Sequence, residues 1–294
     1  MKRKRENPKR IIYYRDLLND DFAGTKIKTQ SLDENFRYIH KNILWRILSF
    51  LVYFLVAIPV LFLTCKIALN VKVVNRKAIK NLRKTGYFIY GNHTHIMDAF
   101  ISQVCITRPK RTFIIADPDA VSIPGVRNLV MMLGCLPLPS TNGTTKKYLE
   151  AIQYHIGKKH AIVVFPEAHI WPFATFIRPF SSSSFRYPAK LNTPVVPIVA
   201  TFEKRKIFKR CLKPRMVITV GEPIFPKQHA DLKTSMQDLR DQTYNFMVEH
   251  ASRPDNVEYF RYVKSDGKKS ENWAIAKIVF DYGNLFLDNY SWRN

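Results

Sequence analysis

Residues 87–98 read YFIYGNHTHIMD, and this stretch decides the fold class of the chain. The apolar run Tyr87–Tyr90 predicts a buried β-strand. A histidine, His93, and an aspartate, Asp98, follow that run five positions apart. A strand that ends near residue 90 delivers His93 to the edge of a sheet, and the next turn brings Asp98 back toward it. The sequence therefore predicts a histidine beside a carboxylate where a strand ends.

This pair is suited to proton transfer. A neutral imidazole can take a proton from a hydroxyl group, while the carboxylate fixes its tautomer and stabilises the resulting cation. The pair contains no serine or cysteine of its own, so we expect the attacking hydroxyl to come from a substrate, in a transfer from a carrier to an alcohol. A loop histidine capped by the aspartate of a following helix is the alternative interpretation.

The composition is that of a large, strongly basic globular chain. The 294 residues carry a formal net charge of +24 and are 46% hydrophobic, enough for one large domain or a domain with an appendage. Such a charge favours nucleic acid, an anionic membrane or anionic small molecules. The sequence has no zinc-finger, helix-turn-helix or RNP-like pattern, so we expect no nucleic-acid partner. The 4 cysteines form no CxxC pair, which indicates reduced thiols in a cytosol-facing protein.

An uncharged segment covers residues 47–65, between Arg46 and Lys66. It is close to the length that crosses a bilayer, and Pro59 is expected to kink it. A spanning helix, a helix in one leaflet and a buried core helix are all consistent with it. Because the basic residues 1–5 favour the cytoplasm and an anionic lipid surface, we prefer a re-entrant or monotopic anchor. We therefore expect a membrane-associated protein whose catalytic domain faces the cytoplasm.

After residue 70, predicted strands and helices alternate, which is the pattern of an α/β sheet covered on both faces. We predict an α/β fold with a mixed, mostly parallel sheet flanked by helices and an N-terminal apolar helical membrane anchor. The expected strands are residues 71–74, 86–90, 112–116, 161–165, 195–201 and 216–220. The expected helices are residues 76–82, 126–133, 145–156 and 232–250.

The remaining segments complete a predicted division of the chain. Residues 11–42 have apolar residues spaced loosely as on an amphipathic helix. Residues 275–287 are expected to pack on the body or on lipid. The expected parts are a basic arm with membrane-associated helices at 1–70, a catalytic α/β domain at 71–251 and a C-terminal extension at 252–294.

A second candidate group follows another predicted strand. Phe165, Pro166 and Glu167 come directly after the apolar run 161–164. Ligands in open α/β sheets bind beyond the carboxyl ends of strands, so we expect Glu167 to lie near His93. Its carboxylate would then hydrogen-bond an alcohol substrate and hold it for the base. A surface glutamate in a turn after proline is the alternative.

Five motifs occur in order along the chain. They are Asn-His-x4-Asp at 92–98, Pro124 to Gly134 around an apolar helix, Phe-Pro-Glu at 165–167, Pro-Val-Val-Pro at 194–197 and Gly-Glu-Pro-Ile at 221–224. In this order they resemble the glycerolipid acyltransferase family, typified by bacterial lysophosphatidic acid acyltransferases, over roughly residues 70–225. An apolar N-terminal helical anchor is also usual in that family.

The resemblance implies transfer of a fatty acyl group from acyl-CoA or acyl carrier protein to the hydroxyl of a lysophospholipid, with lysophosphatidic acid as the expected acceptor. His93 matches the general base, Asp98 the acid that orients it, and Glu167 the position that helps bind the acceptor. Backbone N–H groups near the turns are expected to bind the oxyanion. Beyond the acyl donor no cofactor and no metal is expected, because the thioester is already activated. The other motif residues assigned to substrate binding are Asn92, Phe165 and Pro166.

The string after the glutamate departs from the family pattern, Phe-Pro-Glu-Gly-Thr-Arg. Here residues 168–170 read AHI, so a basic residue associated with the acceptor phosphate is missing after Glu167. Asp117 and residues 139–140 stand where two further basic residues are common. Arg178 is a candidate to supply the charge, since arginine suits bidentate phosphate contact. An acceptor with a different head group is the alternative.

Two other functions are consistent with parts of the sequence. A non-catalytic lipid-binding protein on an acyltransferase scaffold agrees with the missing basic residues. A metal-dependent phosphoesterase would use His93, His95 and Asp98 as ligands, although no further His or Cys cluster accompanies them. The basic residues between 204 and 215 are expected to meet coenzyme A, acyl carrier protein or anionic lipid, or else to form a solvated hairpin tip.

Overall fold

The computed structural model describes residues 8–22, 27, 29–205, 213–227 and 231–265 of the chain. Within these ranges the strands form a seven-stranded sheet and a separate two-stranded sheet. The strands are β1 (Arg10–Tyr14), β2 (Lys72–Val74), β3 (Tyr87–Gly91), β4 (Thr112–Ala116), β5 (Cys135–Pro137), β6 (Ala161–Val164), β7 (Val195–Glu203), β8 (Arg215–Val220) and β9 (Phe260–Lys264).

The large sheet has the strand order β2-β8-β7-β3-β6-β4-β5. The five strands β3 to β7 are parallel, whereas β8 pairs antiparallel with β7, and β2 pairs parallel with β8. Apolar runs such as Ala161–Val164 are buried along their whole length, as parallel strands covered on both faces require. The prediction of a mixed, mostly parallel α/β sheet is confirmed. The short strand β5 was not predicted, because three residues carry no periodic signal.

Alternate side chains of the central strands enter two different cores. Tyr87 and Ile89 join the core on one face of the sheet, together with Ile101 from the helix after β3. Phe88 and Tyr90 join the core on the other face, together with Ile152 of a long helix. The helices are α1 (Ile43–Phe50), α2 (Ile58–Ile67), α3 (Asp98–Ile101), α4 (Asp119–Ser122), α5 (Arg127–Met132), α6 (Asn142–Gly157), α7 (Arg186–Lys190) and α8 (Leu232–Ala251), with 3-10 turns at Arg76–Leu82 and Ser183–Phe185 and π turns at Leu51–Ala57 and Ser102–Thr107.

The predicted anchor forms one continuous helix, Ile43–Ile67, which we call the apolar helix. Among the described residues it alone is long and apolar enough to cross a membrane, and 11% of its most apolar stretch is buried. Asn42 caps its first turn by accepting from the N–H groups of Leu44 and Trp45. Pro59 has no N–H to donate, and the turns just before it, Leu51–Ala57, are widened into π turns.

One side of the apolar helix is buried against the sheet domain. The Ser49 hydroxyl donates to the carbonyl of Met132 at 3.3 Å, and the Tyr53 hydroxyl accepts from the N–H of Thr112 at 3.2 Å. Its other side is exposed, which is inconsistent with the buried core helix considered from the sequence. The exposed large side chains of this helix are Ile43, Leu44, Ile47, Leu48, Phe50, Leu51, Leu55, Val56, Val60, Leu63 and Ile67.

The amphipathic helix predicted for residues 11–42 is wrong. The described part of this segment contains strand β1 and otherwise irregular backbone. Ile12 is buried while Ile11 and Tyr13 are exposed, a period of two that belongs to a strand. β1 pairs in parallel with β9, which lies about 250 residues away and whose pairing no local pattern reveals. Residues 1–5 and 275–287, both given roles from sequence, lie outside the described residues.

Candidate active site

The predicted dyad forms at the carboxyl end of β3. The Nδ1 atom of His93 lies 3.2 Å from Oδ2 of Asp98. The same oxygen accepts from the backbone N–H groups of Thr94 at 2.6 Å and His95 at 2.8 Å. The Asp98 side chain is 5% exposed and the His93 side chain 14% exposed. The hydrogen-bond pattern assigns the proton to Nδ1, so Nε2 is the nitrogen that can take a proton from a ligand.

The loop after β6 holds His93 on two sides. The ring of Phe165 stacks on the imidazole with centroids 4.3 Å apart and planes 14° from parallel. The backbone N–H of His93 donates to Oε2 of Glu167 at 3.1 Å, and its carbonyl accepts from the N–H of Trp171 at 3.0 Å. Pro166, between Phe165 and Glu167, is half-buried. The structure therefore brings the two predicted motifs together.

Asn92 joins the end of β3 to β7. Its Oδ1 accepts from the N–H of Ala200 at 2.7 Å, and its Nδ2 donates to the carbonyl of Ala200 at 3.1 Å. The side chain thus replaces one rung of the strand ladder, and it is buried. A Cβ atom on the preceding Gly91 would lie 2.9 Å from Cγ1 of Ile198, so a larger residue here would have to displace the Ile198 side chain. Asn92 and Gly91 set the position from which His93 projects.

Glu167 and Arg178 form a buried ion pair behind the dyad. Nη2 of Arg178 lies 3.3 Å from Oε2 of Glu167, and the two side chains are 1% and 2% exposed. The backbone N–H of Arg178 donates to Oε1 of Glu167 at 2.8 Å. The guanidinium also donates to the carbonyls of Leu17 and His169 and lies 5.0 Å above the ring of Trp171.

These contacts occupy most of the polar atoms expected to meet an acceptor, and the remaining one, Nε of Arg178, is buried without a hydrogen-bond partner. Burial raises the pKa of Glu167, and the Arg178 cation opposes that shift. Burial lowers the pKa of Arg178, and the Glu167 carboxylate opposes that shift. Glu167, Arg178 and Asn92 therefore reach the predicted site, but as buried supports of His93. Direct contact with an acceptor head group would require the ion pair to open.

Sequence reasoning missed the aromatic cluster that closes this loop. Trp171 is fully buried, and its Nε1 donates to the carbonyl of Asp20 at 2.7 Å. The rings of Phe22, Tyr14 and Tyr262 pack on it with centroids 5.0, 5.1 and 4.8 Å away. The two-stranded sheet of β1 and β9 thus covers the loop that supports His93. The only signal in the sequence was the aromatic content of these segments, which indicates no partner.

Two residues of this loop have a positive φ, which residues other than glycine rarely adopt. Ala168 has φ 63° and Phe173 has φ 56°. Ala168 stands where the family pattern has glycine, which enters the left-handed region without steric cost. Such conformations persist only where surrounding contacts hold them, and they are concentrated at functional sites.

His95 contacts the dyad through its backbone N–H, while its imidazole is hydrogen-bonded to the loop that follows. Its Nδ1 accepts from the backbone N–H of Met97 at 3.0 Å. Burial lowers the pKa of His95 to about 4, with a smaller opposing effect of Asp98. The imidazole is neutral at physiological pH. In the described ranges, no group of three or more His, Cys, Asp or Glu side chains is arranged to hold a metal ion.

The basic run between residues 204 and 215 is only partly described. Arg205 donates to the carbonyls of Ala68 at 2.6 Å and Lys213 at 3.0 Å. Arg215 pairs with the carboxylate of Glu203, with its Nε 2.9 Å from Oε2. These two arginines therefore make hydrogen bonds within the chain. Residues 206–212 lie outside the described part of the chain.

A groove of about 610 Å³ lies apart from this site. It is bounded by residues after β2 and β8 and by helix α8, with Asn75, Glu222 and His250 in its lining. β2 and β8 run opposite to β3, so their carboxyl ends lie at the other edge of the sheet from His93. The groove therefore does not serve the dyad, and neither His93 nor Asp98 lines it.

The dyad and the ion pair lie within a segment that matches a known family. Residues 70–201 match the family model described as Acyltransferase. A comparison with curated proteins found no significant match. Among solved structures, the chain is similar to the crystal structure of the 1-acyl-sn-glycerophosphate (LPA) acyltransferase, PlsC, from Thermotoga maritima, with 17% identity and a TM-score of 0.49 over 67% of this chain and 80% of that chain. The family match, rather than this likeness, carries the assignment, and it covers the central α/β part of the chain, which contains the dyad and the ion pair.

Proposed function

We propose that this acyltransferase is a membrane-associated O-acyltransferase of phospholipid biosynthesis. It moves a fatty acyl group from acyl-CoA or acyl carrier protein to the hydroxyl of a lysophospholipid, with lysophosphatidic acid as the first candidate. The observation that carries this proposal is the 3.2 Å contact of His93 Nδ1 with Asp98, because it leaves Nε2 as a base for a hydroxyl that the protein does not itself provide.

The proposed reaction is a direct transfer. Nε2 of His93 takes the proton of the acceptor hydroxyl as its oxygen attacks the thioester carbonyl carbon. A C–O bond forms, and the tetrahedral oxyanion is stabilised by N–H donors of the active-site turns. The C–S bond then breaks, and the leaving thiolate takes the proton from His93. Asp98 stabilises the imidazolium between these two steps.

The ion pair of Glu167 and Arg178 has a positioning role in this proposal. It fixes the backbone N–H of His93 at 3.1 Å from Oε2 of Glu167, so the base keeps its place relative to the bound thioester and the acceptor hydroxyl. Because both charges are internally paired, we infer that other groups bind the acceptor head group. A lysophospholipid whose head group is not a bare phosphate is therefore the second candidate acceptor.

The apolar helix supports a monotopic membrane attachment. Contacts of α1 with α5 and of α2 with α3 run along its length. A helix fastened lengthwise to a folded domain presents its free side to one leaflet rather than leaving the domain to cross the bilayer. In this arrangement the lysolipid reaches His93 from the bilayer, and the thioester donor approaches from the cytoplasm.

The decisive experiment is transfer by the purified full-length protein in detergent. Lysophosphatidic acid and lysolipids with larger head groups are tested against acyl-CoA and acyl carrier protein, beside His93→Ala and Asp98→Asn. We expect His93→Ala to abolish transfer. Asp98→Asn keeps an oxygen for the N–H groups of Thr94 and His95, and we expect it to lower kcat by about 100-fold or more without unfolding.

The other candidate functions give different results in the same assay. Full activity of His93→Ala would refute the mechanism. Lipid binding without transfer to any acceptor would support the non-catalytic alternative. Phosphate release that a chelator abolishes would support a metal-dependent phosphoesterase. Transfer only to acceptors with larger head groups would keep the mechanism and reassign the substrate.

A further inference from the structure

Three loops form a strongly basic surface at the sheet edge opposite the dyad. They lead into β3, β4 and β6, and hydrogen bonds join them. Nζ of Lys110 donates to the carbonyls of Arg83 at 3.1 Å, Thr85 at 3.0 Å and Lys159, while Nη2 of Arg76 donates to the carbonyl of Arg108 at 2.5 Å. We call this surface the cationic edge, and its members are Arg76, Lys77, Lys80, Arg83, Lys84, Arg108, Lys110, Lys158 and Lys159.

Few negative charges lie near the positive charges of the cationic edge. The three loops, residues 75–86, 106–111 and 157–160, contain no aspartate or glutamate. None of its members forms an ion pair within the described part of the chain. Glu222 borders the surface through a contact with Asn75. Like charges held together raise the free energy of the folded state unless an anion or an anionic surface lies against them.

We propose that the cationic edge docks on the anionic lipid surface of a membrane. The surface is continuous with the apolar helix, because the guanidinium of Arg108 lies 4.9 Å from the ring centroid of Phe62 in that helix. Lys66 lies 5.7 Å from the same ring. An exposed apolar strip bordered by lysine and arginine is the pattern of proteins that lie in the interface of a charged bilayer.

The position of the edge favours lipid over an acidic carrier protein. A carrier must bring its thioester to His93, which lies beyond the other end of β3. The acceptor lipid can instead reach the dyad along the apolar helix, because α2 of that helix contacts α3, which begins at Asp98. The five residues of β3 separate the two edges by roughly 17 Å. Most of the members are exposed and spread over three loops, as single charges over a surface rather than in a pocket. Such an array can bind several anionic head groups at once, and this binding does not depend on acyl transfer.

The test compares two variants that each lose four positive charges. The edge variant carries Lys77→Gln, Lys80→Gln, Arg83→Gln and Lys84→Gln, all exposed positions outside the proposed catalytic site. The control variant carries Lys146→Gln, Arg186→Gln, Lys190→Gln and Lys233→Gln, which are exposed positions on α6, α7 and α8. The apolar side chains of these helices belong to the core on one face of the sheet, whereas Ile79 and Leu82, in the first loop of the cationic edge, belong to the core on the other face. Full-length proteins are sedimented with vesicles of phosphatidylcholine alone and of phosphatidylcholine with about one-quarter phosphatidylglycerol.

We expect the edge variant to lose about tenfold or more of its affinity for the anionic vesicles, with a weaker salt dependence. Binding to neutral vesicles should stay at the wild-type level, and the control variant should lose much less. Equal losses in both variants would overturn the proposal, since net charge alone would then explain the binding. Unchanged vesicle binding with lost binding to purified acyl carrier protein would overturn it in favour of a protein partner. Neither readout involves catalysis, so absence of acyl transfer leaves this test intact.

Discussion

At the scale of single residues, the candidate base His93 is held in place by hydrogen bonds to buried carboxylates. One oxygen of Asp98 accepts three hydrogen bonds, from His93 Nδ1 and from two backbone N–H groups, so it orients the imidazole and closes the turn together. Glu167 fixes the backbone of His93, because its carboxylate accepts from the N–H of His93 and forms an ion pair with Arg178. The position of the base therefore depends on a buried charge pair.

The pair of Glu167 and Arg178 gives a prediction at this scale. We expect Glu167→Gln and Arg178→Met each to lower the free energy of unfolding by about 3–5 kcal/mol, because each leaves a buried charge without its partner. The double variant should lose less than the sum of the two single losses. Urea unfolding of the four proteins measures this coupling.

Kinetics of the same variants separate positioning from direct binding. If the pair only positions His93, folded Glu167→Gln should lower kcat more than it raises KM for the acceptor. A stable Arg178→Met protein whose KM for lysophosphatidic acid rises, with kcat unchanged, would instead make Arg178 a direct ligand of the acceptor phosphate. Arg178→Lys is the matched control, since it keeps the charge and loses the planar fork.

At the scale of elements, the apolar helix has one side packed against the sheet domain and one side exposed. Its inner side is held by polar contacts, in which the guanidinium of Arg111 lies 3.8 Å from the ring centroid of Tyr53 and 3.1 Å from the Ser49 hydroxyl. Burial lowers the pKa of Arg111 to about 10, which leaves the side chain charged at neutral pH. Its outer side is uncharged from Ile47 to Cys65, with Arg46 and Lys66 exposed near its two ends.

The outer side of the apolar helix gives the second prediction. Leu55 is 63% exposed and Leu63 is 58% exposed. Replacing both with Glu should weaken binding to phosphatidylcholine vesicles by about 100-fold or more, because each leucine buried in lipid contributes about 1.5–3 kcal/mol. Co-sedimentation measures the loss, and the melting temperature of the detergent-purified protein should change little.

The matched control replaces the buried side of the same helix. Tyr53→Phe removes the hydroxyl that accepts from the N–H of Thr112, so it should lower stability and leave vesicle binding near the wild-type level. Unchanged vesicle binding by the Leu55→Glu, Leu63→Glu variant would mean that the outer side does not enter the membrane.

At the scale of the whole molecule, buried histidines couple stability to pH. Burial lowers the pKa of His95 to about 4, of His155 to about 3 and of His160 to about 4. In the unfolded chain these groups titrate near pH 6.5. The unfolded state therefore binds more protons between about pH 6.5 and pH 4, so the stabilisation is complete above pH 6.5 and is lost as pH falls through that window.

We expect a loss of roughly 1–2 kcal/mol for each of His95 and His155 between pH 6.5 and pH 5. Urea unfolding at these two values measures it. His155 and His160 contact each other through their Nδ1 atoms at 3.2 Å, so the paired replacement His155→Gln, His160→Gln should flatten the dependence. A slope that stays the same in that variant would contradict the assignment.

Sequence by itself determined the parts of this protein that local order encodes. Buried strands are continuous apolar runs, and a strand's end fixes where the next polar residue lies, so the α/β sheet and the meeting of His93 with Asp98 followed from spacing. Motif order indicated a resemblance to acyltransferases over roughly residues 70–225, and residues 70–201 match the model of that family. The apolar helix followed from its uncharged length.

Tertiary structure alone decided which polar side chains are paired within the protein and which are available to a ligand. Arg178 reads as an available cation, yet Glu167 neutralises it and Leu17, about 160 residues away, accepts from it. The same holds for β1, whose partner β9 comes from the far end of the described chain. Burial and pairing depend on contacts between segments distant along the chain, and no local pattern records them. For this reason the sequence predicted the dyad, whereas the folded chain determined how the dyad is supported.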